Sequence, residues 1–179
     1  DDEGRAWLDA HTQAWTARVI LAPNLVKGRD AMRVRMIGYD PEKDPLLFSR
    51  DRWALDGQSA DTHPMGLVIS AGIAELLEIA IGDVVVLQAR TADGAHNALQ
   101  MTVTGIVTTQ NMYFDRIGVL APRATVDQLA QSQDRHSHLA IRLGDRDTSI
   151  DFALQAEAQL GTDIDARTWQ EGTKSMLEA

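Results

Sequence analysis

The sequence predicts a mixed α+β fold, because its middle reads as antiparallel strands and its last third as alternating strands and helices. Apolar segments on either side of Asp93-Gly94 have the pattern of a β-hairpin, since Asp-Gly is a favoured tight turn. The segment 68–86 places a short amphipathic helix before a Gly82-Asp83 turn and an apolar strand. Residues 138–178 then read as strand–helix–strand–helix, an α/β unit.

The first sixty residues predict a helix followed by two short strands and turns. A helix over 2–16 would place Trp7, His11 and Trp15 on one face, either against the core or at the end of a membrane span. Strands are predicted over 18–22 and over 32–36, where apolar and basic residues alternate. A helical turn is predicted within 41–49, and residues 56–63 form the first clear loop.

The middle of the chain carries the strongest periodic pattern. Four apolar residues share one predicted helix face, namely Ile73, Leu76, Leu77 and Ala80. Ser70 is suited to cap this helix and Gly82 to end it. A strand over 84–89 returns as a strand over 99–107, in which Gly105 indicates a bulge or a close approach. After a loop over 108–116 come a strand over 117–121 and a helix that starts at Pro122. The core face predicted for that helix consists of Val126, Leu129 and Ala130.

The last third is predicted to pack through one side of each element. The strand over 138–143 would turn Leu139, Ile141 and Leu143 inward. A helix over 150–160 would end at Gly161. A strand over 163–167, with Ile164 and Ala166 on one face, and a helix from Trp169 would complete the unit.

Composition narrows the function classes. The 179 residues carry a net charge of −9, which argues against nucleic acid or anionic lipid as a partner. The absence of Cys excludes disulfides and thiol chemistry. No segment of the sequence has an apolar stretch close to the length of about 20 residues that a membrane-spanning helix needs. Because the sequence begins at Asp1 without Met, we expect an excised part of a longer protein.

The residues that could carry catalysis form no complete constellation, so no catalytic, cofactor-binding or metal-binding residue is assigned. His136 and His138 would share a strand face, with Asp134 nearby, but a third metal ligand is not evident. Ser70 lacks the first glycine of a nucleophile elbow, and no Gly-rich loop with Lys-Ser/Thr is present. A stand-alone hydrolase or metal-dependent enzyme, and a soluble interaction module, are kept as alternatives.

Several segments, in the same order, resemble the periplasmic core domain of ABC transporter permeases of the MacB/LolC/FtsX-like type. They are Arg-Val-Arg-Met-Ile-Gly-Tyr-Asp-Pro at 33–41, the segment 68–86, Met-Thr-Val-Thr-Gly-Ile-Val at 101–107, residues 115–122, and Thr-Trp-Gln-Glu at 168–171 with Met-Leu at 176–177. The resemblance covers roughly residues 31–179.

The resemblance implies a MacB-like fold of two lobes. A Porter-like α/β lobe would be built from residues 1–60 and 134–179, with a mainly β, Sabre-like lobe over 61–133 inserted between them. The segments 61–64 and 133–136 would be the two crossings, and both chain ends would point toward the same membrane.

The resemblance also implies a non-catalytic role with no cofactor. The full-length permease would lie in the inner membrane, with this domain in the periplasm. It would form a homo- or heterodimer, work with a cytoplasmic ATPase subunit, and meet a periplasmic protein or a lipid-linked substrate.

One loop is the candidate contact site. The hairpin over 88–99 is short and lacks the long apolar arm that lipoprotein-releasing members use to grip a chaperone, which argues against lipoprotein handover and leaves the question open. Met112, Tyr113 and Phe114 are consecutive and bulky within 109–116, and an extended chain cannot turn all three inward. We therefore expect at least one to be exposed as a partner or substrate contact; the alternative is a loop tucked onto the core.

Overall fold

The computed structural model describes residues 2–91, 93–131, 138–145, 147–161 and 165–168. By internal contacts the chain divides into a larger unit, Thr16–Ala140, and a smaller unit made of both ends, Asp1–Trp15 with Ile141–Ala179. No helix of the described residues is long and apolar enough to cross a membrane.

Strands make up most of the larger unit. Within the described ranges the strands are β1 Ala14–Leu21, β2 Asn24–Lys27, β3 Asp30–Arg33, β4 Arg35–Tyr39, β5 Ala54–Gly57, β6 Gly66–Ser70, β7 Val84–Arg90, β8 His96–Thr108, β9 Gly118–Pro122 and β10 His138–Arg142. The helices are α1 Asp2–His11, α2 Asp44–Leu47, α3 Ala71–Leu76, α4 Met112–Ile117, α5 Arg123–Ala130 and α6 Ser149–Leu160, with a 3₁₀ turn at Ala60–Thr62.

The larger unit is organised by one mixed sheet. Its strand order runs β1-β4-β9-β6-β8-β7-β2-β3, and β5 pairs with β8 beyond the end of the β7 pairing. The pairs β4–β9 and β6–β8 are parallel, whereas the remaining pairs along this order, and β5–β8, are antiparallel. All five residues of β6 are buried, as expected for a central strand with both faces covered. The core face predicted for α5 is confirmed, since Val126, Leu129 and Ala130 are buried.

Gly105 fulfils both roles predicted for it. The β6–β8 register shifts between Leu67 and Val68, which pair with Val103 and Gly105 respectively. A Cβ at Gly105 would lie 2.5 Å from the carbonyl oxygen of Gln58. The glycine therefore lets β5 and the chain after it cross close to β8.

The predicted face of α3 is partly wrong. Ile73 is fully buried, but Leu76 is 67% exposed and Ala80 is exposed as well. The helix ends at Leu76 and Glu78 takes a positive φ of 50°, so the helical spacing no longer holds for later residues. Ile79 is buried instead. Ser70 is the N-terminal residue before the helix, but its hydroxyl makes no capping hydrogen bond.

The smaller unit contains α1 and α6. The Trp7 ring stacks on His11 and on Phe152, with centroid distances of 4.8 and 5.2 Å. Trp15 lies on β1 rather than on α1, because the helix ends at His11, and its indole N–H donates to Asp9 at 2.7 Å. The Gln13 amide donates to the carbonyl of Arg142 at 2.9 Å.

Other predictions for the last third have mixed outcomes. Gly161 follows α6 with a φ of 116°, as predicted. On α6, Ile150 and Leu154 are exposed and only Ala156 is buried. Leu139 was expected inside but is 37% exposed. The described part of the predicted strand over 163–167 is not strand.

The predicted lobe boundary near residue 61 does not coincide with the two contact units. Strands β2, β4 and β5 come from residues before 61, yet they pair with β7, β9 and β8. One sheet therefore contains strands from before and after residue 61. The crossing at 133–136, His136, both chain ends and the helix from Trp169 lie outside the described residues.

Candidate interaction site

The segment predicted as a loop contains a short, well-anchored helix, α4. The Asn111 side chain caps it by accepting hydrogen bonds from the amides of Tyr113 (3.0 Å) and Phe114 (3.1 Å). The Asp115 carboxylate accepts from the amide of Thr109 (2.7 Å) and from its hydroxyl (2.8 Å). These bonds tie the helix to the end of β8, so the aromatic segment has a fixed orientation.

The three candidate contact residues separate into two exposed side chains and one buried side chain. Met112 is 83% exposed and Tyr113 is 61% exposed. The prediction that at least one of them is accessible is confirmed. Phe114 is only 9% exposed, because each residue of a helix is turned about 100° from the last. The Phe114 ring belongs to the core, which leaves Met112 and Tyr113 as the accessible members of the three candidate contact residues.

Close approaches by two glycines hold α4 in place. A Cβ at Gly118 would lie 2.5 Å from Cε2 and 2.6 Å from Cγ of Phe114, so the ring occupies the space that a side chain would need. A Cβ at Gly72 would lie 2.5 Å from the carbonyl oxygen of Asp115. The buried Phe114 ring also stacks on Trp53, with a centroid distance of 6.2 Å.

A buried ion pair network lies in the same unit. The Arg18 guanidinium donates to both oxygens of Asp44, at 2.7 and 2.9 Å, and its Cζ lies 3.5 Å from the centroid of the Phe48 ring. Arg50 donates a longer bond of 3.4 Å to the same carboxylate. The Asp44 side chain is only 2% exposed, so this carboxylate depends on both cations for compensation.

Arg50 links this network to a cavity of about 200 Å³ that is partly open to solvent. The guanidinium carbon lies 4.6 Å from the Tyr39 ring centroid and 5.5 Å from that of Trp53. The cavity is lined by four aliphatic residues, Leu55, Val68, Val107 and Leu120, and by Tyr39, Arg50, Trp53 and Ser59. Trp53 therefore lies between the cavity and the buried ring of α4.

A hydrogen-bonded cluster lies beside this cavity. The Tyr39 hydroxyl is 3.1 Å from Ser59 Oγ and 3.1 Å from Asp61, and Ser59 also donates to Asp61. Burial raises the pKa of the Tyr39 hydroxyl. The hydrogen bond from Ser59 lowers the pKa of Asp61, which therefore accepts as a carboxylate.

The residues considered for catalysis are not brought together. The Ser70 side chain is fully buried and its hydroxyl has no partner among the described residues, so no substrate can reach it as a nucleophile. In the described part of the chain, no group of three or more His, Asp or Glu is arranged to hold a metal ion.

No family model matches the sequence, and no curated protein matches it either. Solved structures do match. The chain has the fold of extracytoplasmic domains of ABC transporter permeases, as the sequence resemblance implies.

Three of the similar structures indicate how far the likeness extends. The extracellular domain of the noncanonic ABC-type transporter YknZ from Gram-positive bacteria has a TM-score of 0.61 at 13% identity, over 91% of this chain and 82% of that one. The periplasmic region of MacB from Actinobacillus actinomycetemcomitans has a TM-score of 0.58 at 14% identity, over 89% and 71%. A domain of a Porphyromonas gingivalis protein assigned as a permease has a TM-score of 0.54 at 12% identity, over 87% and 67%.

Proposed function

We propose that this chain is the extracytoplasmic domain of an ABC transporter permease. In this role it acts as a non-catalytic module that contacts a partner or substrate through Met112 and Tyr113. The observation that carries the general class is the fold, which is shared over about nine-tenths of the chain with the extracellular domain of YknZ and the periplasmic region of MacB.

Two features of α4 support the contact role. Met112 and Tyr113 are adjacent, largely exposed and apolar or aromatic, and aromatic residues and Met are enriched at protein interfaces. The Asn111 cap, the Thr109–Asp115 bonds and the Phe114 anchor hold the helix that presents them. A rigid presentation lowers the conformational entropy lost on binding.

The full-length protein would carry membrane helices and act with a permease partner and a cytoplasmic ATPase subunit. ATP hydrolysis would then change the position of this domain, and the contact would transmit that change to a periplasmic protein or lipid-linked substrate. Under this proposal the domain itself performs no chemistry.

A labelling experiment tests the location. This chain has no cysteine, so Tyr113→Cys introduces one thiol into it at an exposed position. In intact cells that express the full-length protein, a membrane-impermeant maleimide should label this variant. The matched control is Ile73→Cys, whose site is fully buried and should remain unlabelled in the folded protein. Labelling of Tyr113→Cys only after cell lysis would contradict an extracytoplasmic location.

A second experiment tests the contact. The double variant Met112→Ser/Tyr113→Ser is placed in the full-length permease, reconstituted with its ATPase in proteoliposomes. We expect transport to fall while basal ATP hydrolysis is retained, because the helix anchor is untouched. The control variant Leu76→Ser changes another residue of the same unit, 67% exposed. Equal transport by the double variant and the control would exclude α4 as the contact.

A further inference from the structure

We propose that the cavity lined by Arg50 and Trp53 binds a small organic acid with an apolar body, such as a short-chain fatty acid. The cavity is separate from the exposed face of α4, so this inference does not rest on the contact proposed for Met112 and Tyr113. It concerns a ligand site inside the larger unit, defined by the residues of the cavity wall.

The wall explains the preference for an apolar body. Leu55, Val68, Val107 and Leu120 are aliphatic, and the Trp53 ring adds an aromatic surface. The cavity has a volume of about 200 Å³, below the about 300–1,000 Å³ of sites for drug-sized molecules. A ligand of about ten or fewer non-hydrogen atoms is therefore the right size.

Arg50 explains the preference for an acid. Among the described residues that line the cavity, it is the one with a charged side chain. Its guanidinium has five N–H donors, and its hydrogen bond to Asp44, from Nη2, is long at 3.4 Å. Asp44 is already bound closely by Arg18 at 2.7 and 2.9 Å. Arg50 thus retains donor capacity, and a carboxylate is the group that a guanidinium binds best.

The overall negative charge does not oppose this assignment at close range. The net charge of −9 is spread over the whole chain, and charges more than about 8 Å apart are largely screened at physiological ionic strength. Near the cavity, Arg18 and Arg50 face the carboxylate of Asp44, and the charge of Arg50 also helps to lower the pKa of Asp61, so the local charges balance. Asp61 is bound by Ser59 and Tyr39 and is not part of the cavity wall.

The test uses hexanoate as the ligand and hexan-1-ol as its neutral analogue, with the 179-residue chain labelled with ¹⁵N. The chain has four Trp, so the Trp53 indole resonance is assigned with Trp53→Phe. Hexanoate should shift this resonance saturably, with a dissociation constant in about the millimolar range for so small a ligand. Hexan-1-ol should bind about tenfold more weakly, because it lacks the charge-assisted bonds.

Two pairs of variants make the result specific. Arg50→Gln should weaken the binding of hexanoate about fivefold or more and leave the binding of hexan-1-ol unchanged. Arg52→Gln is the matched control, because Arg52 is close in sequence but does not line the cavity, and it should change the binding of neither ligand. Leu55 lines the cavity and is half-exposed, so the larger side chain of Leu55→Trp should block the cavity and abolish the Trp53 shifts caused by both ligands. Leu76→Trp, at an exposed position outside the cavity wall, should leave these shifts unchanged. The Leu55 pair keeps the test valid if Arg50→Gln disturbs the Asp44 network.

Three outcomes would overturn the proposal. They are the absence of a saturable Trp53 shift, equal binding of hexanoate and hexan-1-ol, and equal effects of the Arg50 and Arg52 variants. The variant Met112→Ser/Tyr113→Ser should bind hexanoate normally. The proposal for the cavity and the proposal for the α4 contact can therefore be refuted independently of each other.

Discussion

Replacing Gly118 by Ala should destabilise the larger unit through a single steric conflict. The backbone of Gly118 has φ −82° and ψ 135°, which any residue adopts without strain. A Cβ there would nevertheless lie 2.5–2.6 Å from two atoms of the Phe114 ring, whereas ordinary contacts are 3.4–4 Å. The ring must therefore shift by about 1 Å in a packed environment, a change that costs about 1–3 kcal/mol.

A Gly→Ala substitution also has a stabilising effect, which opposes this steric cost. At a position without strain, Ala stabilises by about 0.4–1 kcal/mol, because it restricts the unfolded chain. The net destabilisation expected for Gly118→Ala is therefore about 1.3 kcal/mol, which lowers the melting temperature by about 3–5 °C for a chain of this size.

A double-mutant cycle isolates the conflict. In a Phe114→Ala background the ring is gone, so Gly118→Ala should become neutral or stabilising, which gives a coupling energy of about 2 kcal/mol, equal to the steric cost. The assay is urea unfolding followed by amide resonances of β6 and β8, which report on the larger unit alone. A coupling below about 0.5 kcal/mol would refute the explanation, because independent sites add within that margin.

Three further predictions concern charge. Asp44→Asn should cost about 3–5 kcal/mol in urea unfolding, because it removes the buried carboxylate that Arg18 and Arg50 share, whereas Asp165→Asn, from an exposed pair, should cost less than about 1 kcal/mol. The pKa of Asp61 is lowered in the folded state, so its contribution to stability is present above its unfolded pKa of about 3.9 and is lost as the pH falls through the folded pKa. Ser59→Ala should raise this pKa in an NMR titration and reduce the acid-dependent loss of stability; an unchanged titration would contradict the assigned cause. Calorimetry should detect no tight ATP binding, since the sequence has no phosphate-binding loop and a net charge of −9.

Local patterns predicted the elements whose contacts lie close in sequence. Gly161 takes a positive φ of 116° directly after α6, as predicted, and Gly82 takes a φ of 93° in its predicted turn, although α3 has already ended at Leu76. The hairpin of β7 and β8 pairs directly across the predicted turn. The apolar spacing of α5 matches its buried face. In each case the signal and the structure span only a few residues.

Contacts between residues that are distant in sequence could not be predicted from local sequence patterns. Arg18, Asp44 and Arg50 form one network, but their spacing along the chain follows no helical or strand period. The pairing of β4 with β9 joins residues about eighty positions apart and crosses the expected lobe boundary. A run of Asp-Pro-Leu-Leu at 44–47 indicates a helix start, not a buried carboxylate.

In the segment 112–114, a local pattern predicted that some side chains are exposed, but contacts outside the segment decide which one is buried. Three consecutive bulky residues required at least one to be exposed, and Met112 and Tyr113 are. Which residue turns inward depends on Asn111, which starts a helix there, and on Gly118, which leaves space for the ring. The buried Phe114 ring therefore fixes the helix that carries the two exposed side chains. It follows that substitutions at Phe114 or Gly118 should alter a partner contact without touching the partner, whereas substitutions at Met112 or Tyr113 should alter it with little effect on folding.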